Sequence, residues 1–133
     1  MNIAEQLPEP LNNFVIDVPA NEYYDFELPA DSTYPLRGVT YPVDYGHIDG
    51  YTGEDGHELD LFIGTNPEGI IGYVLVFRGS DRPNEHKFVI GLTEQEWQTV
   101  QDELKPVLKS SGQFPDPNSL LDAIKKYKDA VDE

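Results

Sequence analysis

Apolar and polar positions alternate in short runs over the first two thirds of the chain, and then the spacing becomes helical. Residues 14–18 read as a strand that stops at Pro19, and residues 23–28 as an aromatic-rich strand that stops at Pro29. Asp31, Ser32, Pro35 and Gly38 make 30–38 turn-rich, and 39–41 is a short strand. Residues 44–56 hold Gly46, Gly50, Gly53 and Gly56 among several acids and are expected to form a loop. Strands are expected at 59–63, 70–77 and 87–92, with a polar loop at 79–85.

From Thr93 the pattern changes. Thr93 and Glu96 have the spacing of a capping box, and Trp97, Val100, Leu104 and Leu108 follow at helical intervals. Pro106 is expected to kink or end that helix. Asp116-Pro117 can open a second helix with the apolar stripe Leu120, Leu121, Ile124, Tyr127 and Val131. Many short strands followed by helices predict an α+β, mainly β fold: a small antiparallel barrel or sheet with helices at one side. The 133 residues suit one domain spanning 1–133, with 1–12, which carries Pro8 and Pro10, as an N-terminal arm. There is no internal repeat and no low-complexity segment.

Composition narrows the function classes. An apolar share of 38% is too high for a disordered chain. The absence of cysteine excludes disulfides, thiolate zinc sites and cysteine nucleophiles, and is compatible with a cytoplasmic location. No apolar run approaches the roughly 20 residues of a membrane span, and no basic-then-apolar leader opens the sequence. The net charge of −16 argues against nucleic-acid and anionic-membrane partners. That charge is uneven: residues 1–77 contain 14 acids and a single base, Arg37.

The most informative segment is Asp55-Gly56-His57-Glu58-Leu59-Asp60. On a strand, Leu59, Leu61 and Ile63 share one face and Asp60 takes the other beside Phe62, where an acid is costly unless something satisfies it. Asp55 and His57 sit just ahead, on a turn opened by Gly56, so three potential ligands meet where loop joins strand. A second acidic loop carries Asp81 and Glu85, with Lys87 starting the next strand. Two facing acidic loops suit hard divalent cations. The residues alone leave a plainer arrangement open, with Asp55-Gly56 a turn and Asp60 paired to a base.

These residues resemble the soluble family I inorganic pyrophosphatases over roughly residues 14–128. The resemblance is carried by Tyr41-Pro42-Val43-Asp44-Tyr45-Gly46-His47-Ile48 and Asp55-Gly56-His57-Glu58-Leu59-Asp60. Ser80-Asp81-Arg82-Pro83-Asn84-Glu85-His86-Lys87 is similar to the family's later metal loop, and Tyr127-Lys128 to its phosphate-binding pair. The resemblance implies a five-stranded, OB-like barrel with two flanking C-terminal helices. It implies hydrolysis of pyrophosphate to two phosphates with Mg²⁺, or with Mn²⁺ or another divalent cation. Asp55, Asp60, Asp81 and Glu85 would be metal ligands, and Arg37, Lys87, Tyr127 and Lys128 would bind phosphate. Tyr41 would line the cavity, and Tyr45 would donate a hydrogen bond near the attacking water or phosphate. A cytoplasmic homo-oligomer is also implied.

The sequence departs from the family pattern at several positions. His57 stands where the family has an Asp, and is a candidate ligand or general base or, equally, a turn residue. Tyr23 or Tyr24 stands where the family has a phosphate-binding Lys, and His47 replaces a Tyr. Two alternatives follow: a family member that binds metal or phosphate without turnover, or a hydrolase of another phosphoanhydride.

Overall fold

The computed structural model describes residues 7, 9, 11–54 and 56–128. Asp55, most of the expected arm and Val131 of the expected helical stripe lie outside the described residues. In chain order the elements are β1 (Phe14–Val18), β2 (Tyr23–Asp25), β3 (Gly38–Thr40), β4 (Asp44–Thr52), β5 (Glu58–Ile63), β6 (Ile70–Val76), β7 (Glu85–Leu92), α1 (Glu94–Leu104), β8 (Leu108–Phe114) and α2 (Pro117–Ile124). A 3-10 turn, Lys125–Tyr127, follows α2.

Six strands form one sheet in the order β1-β4-β5-β7-β6-β8, and β2 pairs with β3 in a separate ribbon. Only β5 and β7 run parallel, with Leu61 opposite Phe88; the other pairs in the sheet are antiparallel. The expected five-stranded barrel is replaced by a mainly β, six-stranded sheet with β1 and β8 at its two ends.

Two strands account for the difference. β4 occupies most of the stretch expected to be a loop. Its Gly46 is not a turn residue: a Cβ there would fall 1.9 Å from the carbonyl oxygen of Val15, so glycine is what lets β1 approach. β8 begins at Leu108, a residue whose helical spacing points instead to α1. Its sequence Leu-Lys-Ser-Ser-Gly-Gln-Phe has apolar residues only at its ends, as suits a strand at the margin of a sheet.

The helices begin where the sequence indicates. The Thr93 hydroxyl accepts from the Glu96 N–H at 3.1 Å and the Glu96 carboxylate accepts from the Thr93 N–H at 2.9 Å, completing the capping box. α1 stops two residues before Pro106. Asp116 caps α2 by accepting from the Ser119 N–H, with Pro117 in the first turn.

The helices cover opposite faces of the sheet, not one side. Trp97, Val100 and Leu104 of α1 pack with Tyr41, Tyr45, Phe62, Val74 and Val89. Leu120 and Ile124 of α2 pack with Ile48, Leu59, Leu61, Phe88 and Ile90. Strand alternation decides which chemistry faces which helix. On β7, Glu85, Lys87 and Val89 look toward α1, and His86, Phe88 and Ile90 toward α2. Among the described residues, no helix is long and apolar enough to cross a membrane.

Candidate active site

On the α1 face, β4, β5 and β7 lie side by side and bring Tyr45, Asp60, Glu85 and Lys87 together. The Lys87 ammonium donates to the Tyr45 hydroxyl at 2.7 Å, to Asp60 Oδ2 at 2.8 Å and to Glu85 Oε1 at 2.9 Å. Arg78, just past the end of β6, donates from Nη1 to both Glu85 oxygens, at 3.1 and 2.9 Å. Glu85 is 2% exposed and Lys87 6%, so this is a desolvated cluster in which two carboxylates offset two cations.

Burial lowers the pKa of Lys87, but Tyr45, Asp60 and Glu85 more than offset it and hold the ammonium well above its ordinary value. Burial pushes Asp60 up, and the charge and hydrogen bond of Lys87 outweigh it, so its carboxyl lies below the ordinary value. Glu85 goes the other way. Burial raises it to about 7, with Lys87 pulling down and the charge of Asp60 adding to the rise. Burial also holds the Tyr45 phenol well above its usual range, so it stays protonated at neutral pH. Tyr41 is buried beside this group, its ring 5.2 Å from Tyr45 and 4.6 Å from Phe62. Tyr24 reaches Tyr45 at 5.8 Å from the exposed side.

The remaining candidates are placed elsewhere. His57 and Asp81 are exposed, the one just before β5 and the other between β6 and β7. Among the described residues, no three His, Asp or Glu side chains converge as cation ligands. Arg37 is exposed, and its guanidinium donates to the carbonyls of Pro29 at 2.7 Å and Ala30 at 3.1 Å, stapling its own loop. Lys128 is exposed and pairs through its backbone with Tyr51.

Tyr127 is buried on the opposite face from Lys87. Its hydroxyl donates to Glu54 Oε2 at 2.8 Å and lies 3.1 Å from His86 Nδ1. Glu54 also accepts from the His86 backbone N–H at 3.0 Å and from Nδ1 at 2.5 Å. Burial raises the Glu54 pKa, but these bonds outweigh it and keep the carboxyl below its ordinary value. Tyr127 and Lys87, both expected as phosphate ligands, lie on opposite faces of β7: Tyr127 meets residue 86, and the cluster holds 85 and 87.

Two partnerships are not evident from the sequence. Arg78 follows the end of an apolar run, where closing a turn is the plain role, and the scarcity of bases in the first 92 residues is the available signal for a buried one. Glu54 falls in the glycine-rich stretch expected to be a loop, and only the parity of residue 86 points toward its partner's face.

The model of the family described as Inorganic Pyrophosphatase matches residues 36–102. No curated protein matches the chain. The matched segment spans half of the sequence and holds Tyr45, Asp60, Arg78, Glu85 and Lys87, while Tyr127 and Lys128 fall beyond it. The chain belongs to the inorganic pyrophosphatase family.

Proposed function

We propose that this chain hydrolyses inorganic pyrophosphate to two phosphates and requires a divalent cation. The observation that carries the reading is the convergence of Tyr45, Asp60 and Lys87 within the segment matched to the family. Asp60 offers a hard oxygen donor with a fifth of its side chain exposed, which fits Mg²⁺ or Mn²⁺. Glu85 does not fit as placed, because both its oxygens are held by Arg78 and Lys87. Asp60 would hold the ion, and the family resemblance supplies Asp55, His57 and Asp81 as the further ligands of this reading. Once bound, the cation would offset the charge of a polyanion on a −16 chain and acidify a coordinated water.

The chain's own groups would position the substrate. Lys87 is positive throughout the neutral range, and Tyr45 is a protonated donor beside it. Glu85 and Arg78 fix the ammonium against β7. Asp60, the more exposed of the two carboxylate partners, is the one a phosphate oxygen would displace. A cytoplasmic homo-oligomer belongs to the same reading.

A second reading is a member that binds the anion or metal without turnover. It is favoured by the full commitment of the three Lys87 N–H donors. Phosphate release from pyrophosphate, assayed separately with Mg²⁺ and Mn²⁺, decides. Release that Asp60→Asn abolishes supports the first reading. Saturable pyrophosphate binding without release under any divalent cation supports the second, and restoration of release by His57→Asp would confirm it.

A further inference from the structure

The α2 face carries a cavity that the pyrophosphatase reading does not use. Its volume is about 160 Å³ and it opens to solvent. Five mutually contacting rings line it, with His86 also 6.4 Å from Phe88. Tyr73 lies 6.0 Å from Phe114, Phe114 6.5 Å from Phe88, Phe88 5.8 Å from Tyr127, Tyr127 6.4 Å from His86, and His86 5.8 Å from Tyr73. Gly112 faces Tyr73 across the β6–β8 pair, and a Cβ there would fall 2.7 Å from the Tyr73 ring. Glycine at that point lets the tyrosine lie over β8 and form part of the floor.

The polar groups of the cavity divide into satisfied and available. Glu54 is engaged by three hydrogen bonds from His86 and Tyr127, so its charge is spent on positioning those two rings. Nδ1 of His86 is taken by Glu54, which leaves Nε2. Lys126 lines the cavity, is exposed, and holds its ammonium 5.2 Å from the Tyr127 ring centroid. Lys126 is one of only nine basic residues in the chain; its neighbour Lys125 is paired with Asp122 at 3.0 Å. In so acidic a protein, Lys126 puts a positive charge where the aromatic lining meets solvent.

We propose that this cavity binds a small planar aromatic acid: a single ring carrying one carboxylate. The ring lies against the aromatic lining, where offset and edge contacts favour a flat π-face. The carboxylate lies at the opening and pairs with Lys126. Lys126 disfavours an aromatic cation. This site lies across the sheet from the Lys87 cluster and does not depend on its function.

The test is calorimetric or NMR titration of the full chain with benzoate. Matched arms use cyclohexanecarboxylate, benzylammonium and inorganic phosphate. Saturable benzoate binding is expected, weakened about threefold by Lys126→Met, the loss of one exposed charged partner. Lys126 is exposed, so that variant retains the fold. Ala123→Leu, which fills the cavity, is expected to abolish binding while circular dichroism stays native. The proposal is overturned if benzoate does not saturate, or if benzylammonium binds as tightly. It also fails if cyclohexanecarboxylate matches benzoate, because the flat π-face then contributes nothing, or if phosphate does, because then charge alone governs.

Discussion

Replacing Lys87 by methionine tests whether the cluster is held as the structure shows. Methionine keeps the length and apolar stem but removes three donors, to Tyr45, Asp60 and Glu85 at 2.7, 2.8 and 2.9 Å. Arg78 remains on Glu85, so the cluster passes from neutral to one uncompensated negative charge around a carboxylate that is 2% exposed. Breaking a buried pair from one side costs about 3–5 kcal/mol, against about 0–1 kcal/mol for an exposed pair. On a domain stabilised by roughly 5–15 kcal/mol the loss is a large fraction of the whole. Urea denaturation at pH 8 followed by fluorescence of Trp97 and the tyrosines measures it. The penalty should shrink at pH 5, where Glu85 is protonated, and Glu85→Gln in the Lys87→Met background should recover part of it at pH 8. If Lys87→Met costs less than about 1 kcal/mol at both pH values, the ion pairs are no stronger than surface pairs and the account of the site is wrong.

Three further outcomes are expected. Glu85 has an ordinary value of 4.5 that rises to about 7 in the folded chain, so the folded state binds the extra proton and this group's contribution to stability falls as pH rises from 4.5 to 7. Glu85→Gln should remove a decline on the order of 2–3 kcal/mol across that window; an unchanged stability–pH profile would refute the assignment. Asp60 and Glu54 have lowered values and act oppositely, contributing above their ordinary values and losing that contribution as pH falls. Tyr127→Phe removes the hydroxyl from Glu54 and His86 and should cost about 1 kcal/mol; since β7 separates it from Lys87, phosphate release should stay within about twofold, and a collapse in kcat/KM would place Tyr127 in the active site after all. Thr93→Ala removes the cap of α1 and should lower stability by about 1 kcal/mol in thermal unfolding, with no effect on benzoate binding.

How much of the molecule is legible in its sequence follows from the range of the interactions. The alternation of Leu59, Leu61 and Ile63 around Asp60 is local, and it suffices to set that carboxylate on the face opposite those three side chains. The capping box and the helix stop before Pro106 are likewise local, and both are legible. β4 is hidden because glycine punctuates turns in general, and only the nearness of Val15 shows that Gly46 serves strand approach instead. β8 is hidden because a strand at the sheet's margin needs little apolar alternation. The Glu85–Arg78 pair crosses the β6–β7 connection, and nothing in either residue's neighbourhood announces it.

The decisive case is β7, where two kinds of inference conflict. Motif resemblance groups Tyr127 with Lys87 as phosphate ligands. Helical spacing places Tyr127 on the stripe with Leu120 and Ile124, which is the face of the sheet that residue 86 reaches and residue 87 does not. The two residues stay on separate faces because a strand has no freedom in parity: moving Lys87 to Tyr127's side would carry Glu85 and Val89 with it and bury His86, Phe88 and Ile90 under α1. Three consecutive residues, Glu85, His86 and Lys87, thus line the two proposed sites back to back. An insertion or deletion at the start of β7 would exchange the faces and disable both at once, whereas point substitutions can separate them.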